Sequence, residues 1–550
     1  MRITYNPQTS RFLATASYHE KDALKSAGFY WDPDKKQWWT KDKLSANKLK
    51  RWFDAAAKEA TKESDEKAVA TAIASNLIEP LEGFKAPCPA GREFFPYQHA
   101  GIQFALGRRN TLIGDEMGVG KTAQAIGVMN CMVEADRILV ICPASLKLNW
   151  MRELQMWLTR KAHVTVLYSN GKHRTWGDPD AELSVYVVNY DVVEKFDLKS
   201  EEWGLMVIDE VHYLKNSSSK RRREIWGGRQ QNPGQPVKTW RAIPARRTLA
   251  LTGTPVCNRP SELWTMLRAL DPDTWGSTMW QKFHVRFCDA TKGRFGWITD
   301  GASNLDELNK ILRSTIMIRR TKDEVLKDLP PKTRKTTLIE ANKEMRILLS
   351  KEAALQAIQD AGGINKAKAA DIEIVQDWLD ENDGETPTVV GQLAKIRRMV
   401  GEIKAPQAAA YAKELLEDGL ECLVIFAHHK DVVKKLEEEL AQYGVSKIVG
   451  GMNPDDKQKS IDDFQAGRTR VFIGSITAAG VGITLTKATH TLFVEVDWVP
   501  GNLQQAEDRT HRHGQRGNVV IEYLIYEGSI DTVMVDAVAE KREVIDQITK

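Results

Sequence analysis

Cysteine is scarce in this chain. Its 550 residues hold six, Cys88, Cys131, Cys142, Cys257, Cys288 and Cys422, and no two form a Cys-x-x-Cys pair. That excludes a disulfide scaffold, gives no zinc-ribbon spacing, and leads us to expect a reduced, intracellular protein. No run of about 18 apolar residues occurs, so no membrane-spanning helix is expected. The first residues, Met1-Arg2-Ile3-Thr4-Tyr5-Asn6-Pro7, lack the apolar segment of a secretory signal. There is no internal repeat of roughly 20–50 residues. Nor is there a strong charge of one sign: the net charge is +4, so global charge does not announce a nucleic-acid partner. The expected location is the cytoplasm of a bacterial cell or virus-infected host, or the nucleus if the source is eukaryotic.

What is present is a chain long enough for several hydrophobic cores, with an uneven local pattern. Residues 1–55 read as a small α+β module. Strands are predicted at 3–5 and 12–16 and a helix at 18–27 stopped by Gly28. Two aromatic runs, Phe29-Tyr30-Trp31 and Gln37-Trp38-Trp39, flank the turn Asp32-Pro33-Asp34-Lys35-Lys36 as a hairpin. The module carries ten aromatics and eleven Lys/Arg against six Asp/Glu, which suits either a small core of large side chains or a nucleic-acid platform. Residues 56–91 read as a helical linker. Residues 92–275 alternate strands (111–113, 138–141, 184–188, 205–208, 248–251) with helices, the pattern of a parallel sheet covered on both faces. Residues 276–405 read as a helical insertion. Strands return at 422–426, 447–449, 470–473, 491–494 and 519–525 in a second α/β lobe, 406–535, followed by a C-terminal helix, 536–550.

Three segments carry chemistry. Gly114-Asp115-Glu116-Met117-Gly118-Val119-Gly120-Lys121-Thr122 joins a predicted strand to a helix over 123–135. Backbone N–H groups in such a turn face a phosphate, with Lys121 reaching the β- and γ-phosphates and the Thr122 hydroxyl on Mg²⁺. The strict pattern wants glycine at 115; Asp115 departs from it. Leu205-Met206-Val207-Ile208 ends in Asp209-Glu210-Val211-His212, placing two carboxylates at a strand end beside the phosphate loop. Asp209 is expected to hold Mg²⁺ through its water shell and Glu210 to orient the attacking water. In the second lobe, Arg509 and Arg512 are three apart, on one helix face. They read either as a solvated stripe or as the cation that phosphoryl transfer needs on its transition state.

In order along residues 92–516, these segments resemble the superfamily 2 helicase motor, and more narrowly the SWI/SNF-type DNA translocases. The likeness also rests on Pro96-Tyr97-Gln98, Cys142 to Trp150, Asp209 to Asn216, Leu251-Thr252-Gly253-Thr254-Pro255, Arg319-Arg320-Thr321-Lys322, Leu329-Pro330-Pro331-Lys332, Ala479 to Thr486 and Gln505 to Gln515. It implies an α/β fold of two RecA-like P-loop lobes and a DNA-dependent ATPase using ATP and Mg²⁺. Asp115 is that family's own form of the loop, and Thr484 stands where the family usually has Asn. By resemblance, Tyr97, Gln98, Asp115, Gly118, Val119, Gly120, Gly480 and Gln505 join Lys121 and Thr122 around the nucleotide, with Gln98 reading the adenine edge. Thr252, Gly253 and Thr254 couple that site to the nucleic acid. Ser145, Lys147, Asn149, Lys430, Ser475 and Thr477 touch the DNA backbone. The N-terminal module resembles the accessory module of annealing-helicase members, on Asp32 to Trp38 alone.

Residues 215–247 hold ten Lys/Arg against one acid, Glu224, with Trp226 and Trp240 interleaved and Gly227-Gly228 and Pro233-Gly234 making the stretch loop-like. Lys220, Arg221, Arg222 and Arg223 read as phosphate contacts, a nuclear signal or a solvated run. The expected partner is duplex or branched DNA, bound without sequence preference. The expected activity is ATP-driven movement on DNA that remodels or anneals forks, junctions or protein–DNA complexes. The alternatives are a strand-separating DNA or RNA helicase and a motor-inactive binding scaffold.

Overall fold

A computed structural model describes residues 1–549 except 10, 42, 231–235, 277–279, 294–295, 361–367, 369, 372–373, 376–388 and 481. The chain divides into two compact units, residues 1–116, 120–325 and 544–550 in one, and 117–119 with 326–543 in the other.

The first unit opens with β1 (Arg2–Asn6), β2 (Arg11–Thr15), β3 (Tyr30–Asp32) and β4 (Gln37–Thr40), an antiparallel sheet in the order β1-β2-β4-β3. The helix Lys21–Ala27 stops where Gly28 turns left-handed at φ 100° and donates its N–H to Leu24 and Lys25. Phe12, Phe29, Phe53, Leu24 and Ile3 form the module's core, whereas Tyr18, Tyr30 and Trp31 stay exposed. Large aromatics therefore build the module's core, while others remain on its surface. The stretch expected as a linker is helical over Ala55–Ser75, capped by Asp54. It is no free tether: Arg313 donates to Asn76 Oδ1 at 2.9 Å and to Ser75 O at 3.4 Å, fastening its far end within the unit.

The main sheet of this unit is built from β5 (Asn110–Ile113), β6 (Arg137–Cys142), β7 (Ala162–Leu167), β8 (His173–Gly177), β9 (Leu183–Asn189) and β10 (Trp203–Asp209). After a hairpin of β11 (Gly228–Gln230) and β12 (Lys238–Trp240) comes β13 (Ala245–Leu251). A second hairpin, β14 (Thr291–Gly293) and β15 (Gly296–Ile298), precedes β16 (Met317–Ile318). The order is β16-β5-β13-β10-β6-β9-β7-β8, parallel except for the β7–β8 pair. Central strands such as Ile138 to Cys142 and Leu205 to Ile208 are buried on both faces, hence their unbroken apolar runs.

The second unit has β17 (Lys332–Ile339), β18 (Leu423–Ala427), β19 (Val445–Ile448), β20 (Val471–Ser475), β21 (His490–Phe493) and β22 (Val519–Tyr526), all parallel in the order β17-β22-β21-β18-β20-β19. The helical insertion expected over 276–405 needs correcting. Its β16 belongs to the first sheet and its β17 opens the second, and the units divide at 325. The long helices Lys343–Asp360 and Val389–Glu417 remain. β17 escaped hydrophobic patterning because Lys332-Thr333-Arg334-Lys335-Thr336-Thr337 is polar; acidic partners hold it in place. The last helix spans Ile530–Thr549, starting ahead of the expected 536.

Candidate functional site

The phosphate-loop sequence leaves β5 and enters the helix Lys121–Cys131, which ends before the expected 135. Gly118 and Gly120 sit at φ 84° and 83°, a region glycine enters without strain. A Cβ on Gly120 would clash with the Gln98 amide. Gln98 is buried in the first turn of the helix Pro96–Leu106 and accepts the Phe95 N–H at 3.0 Å; Tyr97 beside it stacks on Phe95. Lys121 folds back on its own loop, donating to Asp115 O at 2.8 Å and Glu116 O at 3.0 Å. Burial pulls its ammonium down to about 8, against the carboxylates of Glu210, Asp115 and Asp209.

Asp115 is fully buried and its carboxylate is engaged internally. Arg320 donates to both oxygens through its guanidinium and to one through its backbone N–H at 3.0 Å, and Gln124 Nε2 donates to Oδ2 at 2.9 Å. The expectation that Asp115 contacts a nucleotide is thereby corrected for its side chain, which braces the loop from beneath. Arg319 works likewise, donating to Gly114 O and, at 3.2 Å, to Gly253 O. Sequence reading quoted Arg319-Arg320 within a motif but gave them no part in the site; no spacing links them to a loop some 200 residues earlier.

Strand register sets the carboxylates. Leu251 of β13 lies opposite Ile113 of β5 and Asp209 of β10. Gly114, Thr252 and Glu210 therefore leave the sheet at one level, with β13 standing between the phosphate-loop strand and the carboxylate strand. Trp150 Nε1 donates to Asp209 Oδ2 at 2.8 Å and the Glu210 N–H to Oδ1 at 3.0 Å. Burial, and then the adjacent Glu210 charge, push Asp209 up to about 7. Glu210 holds a strained left-handed backbone, φ 52°. The Tyr190 hydroxyl stabilises that turn, donating to Asp209 O at 2.6 Å, with Glu210 O 3.3 Å away. The Glu210 carboxylate meets His212 Nδ1 at 3.2 Å and Thr252 Oγ1 at 3.5 Å, and those two are 3.1 Å apart. Thr252 Oγ1 also accepts the Thr254 N–H at 3.1 Å. Tyr190 had no sequence signal; only the fold brings it here.

In the second unit the helix Pro500–Glu507 ends early. Arg509 Nε takes the Gln505 carbonyl at 2.7 Å and Thr510 Oγ1 takes that of Glu507 at 3.1 Å, competing with helical hydrogen bonds. Arg509 and Arg512 thus lie beyond the helix, not on one of its faces. Both guanidiniums converge on Ile483 O, at 3.3 and 2.9 Å, and Arg512 also donates to Thr484 Oγ1 at 2.7 Å. The Thr484 hydroxyl therefore makes a contact of its own. Gly480 ends the helix Ile476–Ala479, and its neighbour Val481 lies outside the described residues. Buried Glu507 anchors this region, accepting from Lys332, Arg334, Arg542 and Tyr523, and these cations hold its carboxyl well below the usual range despite burial.

A model of the SNF2-related domain matches residues 97–377, and one of the helicase conserved C-terminal domain matches 407–514. The chain belongs to the SNF2-related family. It is similar to the SWI/SNF-related matrix-associated actin-dependent regulator of chromatin subfamily A-like protein 1 of Xenopus tropicalis, 32% identical over 87% of this chain and 47% of that one. It is likewise similar to the human DNA annealing helicase and endonuclease ZRANB3, 32% identical over 82% of this chain and 40% of that one. The chain spans about half the length of the curated relatives it matches. The Sulfolobus solfataricus SWI2/SNF2 ATPase core in complex with dsDNA aligns over 83% of this chain and 93% of that one, at 23% identity and a TM-score of 0.37.

The basic stretch of this SNF2-related chain is more ordered than its composition suggested. Lys220–Trp226 is a helix capped by Ser219, followed by the β11–β12 hairpin; Pro233-Gly234 lies outside the described residues. Lys220 pairs with Glu194 at 2.6 Å and Arg221 with Asp191 at 2.6 Å, both partly exposed. Arg222 donates to Gly227 O at 2.7 Å, while Arg223 donates to Gln230 and lies over the Trp240 ring. Arg222 and Arg223 brace the loop; Lys220 and Arg221 sit in surface pairs of the kind that exchange partners cheaply. Of the other expected backbone contacts, Ser145, Lys430 and Thr477 are exposed, Asn149 is half-buried and Ser475 is buried at the end of β20. Lys147 is corrected: it is buried, donating to Leu167 O at 2.8 Å over the Tyr168 ring. Among the described residues no helix is long and apolar enough to cross a membrane.

Proposed function

We propose that this chain is a motor that couples ATP hydrolysis to movement on DNA, remodelling or annealing forks, junctions or protein–DNA complexes. The observation that carries the reading is the shared exit level of Gly114, Thr252 and Glu210 from β5, β13 and β10. It brings the Lys121 loop, the Asp209–Glu210 pair and Thr252-Gly253-Thr254 to one edge of a parallel sheet, where such sheets bind ligands.

In this reading Lys121 and the loop N–H groups hold the phosphates, and Tyr97 and Gln98 the base. Thr122 and Asp209 hold Mg²⁺, which when bound neutralises phosphate charge. The residues fit that ion: buried Asp209 sits beside the like-charged Glu210 carboxylate, and the side chains that would hold the ion, those of Asp209 and Thr122, offer oxygens, as a hard cation requires. Glu210, fixed by His212 and Thr252, orients the attacking water. Arg509 and Arg512 place positive charge on the transferring phosphoryl group. Lys220, Arg221, Ser145, Asn149, Lys430 and Thr477 meet the DNA backbone. The relatives' printed names, an annealing helicase among them, support DNA as the track.

A strand-displacement experiment tests the movement. With ATP the protein is expected to release a third strand from a DNA triplex while leaving a plain duplex intact. Release of the duplex strands would favour a strand-separating helicase; no release of either would contradict a translocating motor.

A further inference from the structure

Between the N-terminal module and the helix Trp280–Phe287 lies a cleft of about 810 Å³ within the first unit. Lys282 spans the seam, with its ammonium 3.4 Å from Gly28 O and 5.1 Å from the centroid of the Tyr30 ring. Gly28 permits this approach: a Cβ there would stand 2.7 Å from Lys282 Nζ and 2.6 Å from Ser45 Oγ. Lys25, Lys48, Lys282 and Arg286 line the cleft against one carboxylate, Glu307, which Arg286 already pairs. Trp297 of β15 contributes an exposed indole, and Trp280, 6.1 Å from it between ring centroids, is exposed beside it. Asn47 also lines the cleft, and its buried Oδ1 lacks a hydrogen-bond partner among the described residues, an uncompensated acceptor of the kind native proteins rarely leave.

We propose that this cleft holds an unpaired stretch of single-stranded DNA. The charge excess suits a phosphate backbone, and the indole of Trp297 suits a base. A duplex offers no free base face for stacking, whereas an unpaired strand does, and clustered cations beside aromatics are how sequence-tolerant single-strand binders work. The cleft has room for nucleotides but not for the breadth of a double helix. Its walls come from both the module and the first sheet's own helix and hairpin. The two therefore form one site, and the module alone is only half of it. The inference rests on the proposed function in taking DNA as the partner, and places a second contact on it, away from the Lys121 loop.

The test uses the full chain and a fluorescent 12-nucleotide oligothymidine at one fixed salt concentration, read by anisotropy. Trp297→Ala is expected to weaken binding about tenfold, the scale of losing one stacked base. Trp297→Phe is expected to restore most of it, and Lys282→Ala to weaken binding and flatten its salt dependence. Duplex-stimulated ATP hydrolysis, measured on each variant, reports folding and the motor separately. Unchanged oligothymidine affinity in Trp297→Ala overturns the cleft. A loss confined to oligouridine overturns it as a DNA site. Absence of any duplex-stimulated hydrolysis in the unaltered protein overturns the motor reading, while oligothymidine binding still decides the cleft.

Discussion

Asp115 shows how a single residue can look like a fault in the sequence and be a requirement of the structure. Glycine would satisfy the strict phosphate-loop pattern, yet the aspartate is the buried counter-ion of Arg320, which is itself about 1% exposed. Removing one partner of a buried pair leaves the other charge uncompensated, at a cost of about 3–5 kcal/mol. Asp115→Gly, which restores the standard loop, is therefore expected to destabilise the protein by roughly that amount in a denaturant titration, and to raise KM for ATP. Stability equal to the unaltered protein would remove Arg320 from the loop's support. The candidate site residues Lys121, Asp209 and Glu210 were legible because strand-loop-helix and strand-carboxylate patterns are local, and Thr252 was reached only through the family resemblance. Their supports, Arg319, Arg320, Trp150 and Tyr190, were not, because each acts across strands and nothing in local spacing reports that.

At the scale of elements the same divide separates β18 from β17. β18 is an apolar run buried on both faces, and its sequence declares it. β17 is held to its neighbours by charge: Lys332 and Arg334 go to Glu507, Lys335 and Thr337 to Glu522. Glu522 on β22 also accepts from His490 on β21 and Tyr411 on the helix Val389–Glu417, so one buried carboxylate ties three strands and a helix. Burial would raise its pKa, but these hydrogen bonds prevail and hold it at about 2, below its ordinary 4.5. The contribution of a depressed carboxylate is complete above the ordinary value and is lost as pH falls through the folded one. Stability is thus expected to decline between about pH 4.5 and 2, and Glu522→Gln to lose about 3 kcal/mol at neutral pH while showing a shallower decline in that window. An unaltered acid-unfolding curve in Glu522→Gln would place the pH dependence elsewhere. The segment 215–247 was misread for a related reason: its glycines and prolines suggested a loop, but Ser219 caps a helix there and Lys215, Lys220, Arg221, Arg222, Arg223, Arg246 and Arg247 all have internal partners.

The molecule as a whole pairs two parallel α/β sheets with a small aromatic module fastened to the first. The alternation of strands and helices was readable from one sequence, because fully buried strands and their turns are written in consecutive residues. The division between units was not, since β16 is apolar but only two residues long and β17 is charged. The central claim is that the loop and carboxylates at the edge of the first sheet hydrolyse ATP in response to DNA. Its most direct test is steady-state ATP hydrolysis with and without duplex DNA, for the unaltered chain, Lys121→Ala and Glu210→Gln. We expect duplex-stimulated turnover in the unaltered chain and none in Lys121→Ala. In Glu210→Gln we expect nucleotide binding to persist while turnover falls at least ~10²-fold, because the water loses its orienting carboxylate while the phosphate contacts remain. Near-normal, DNA-stimulated turnover in Glu210→Gln would contradict the account.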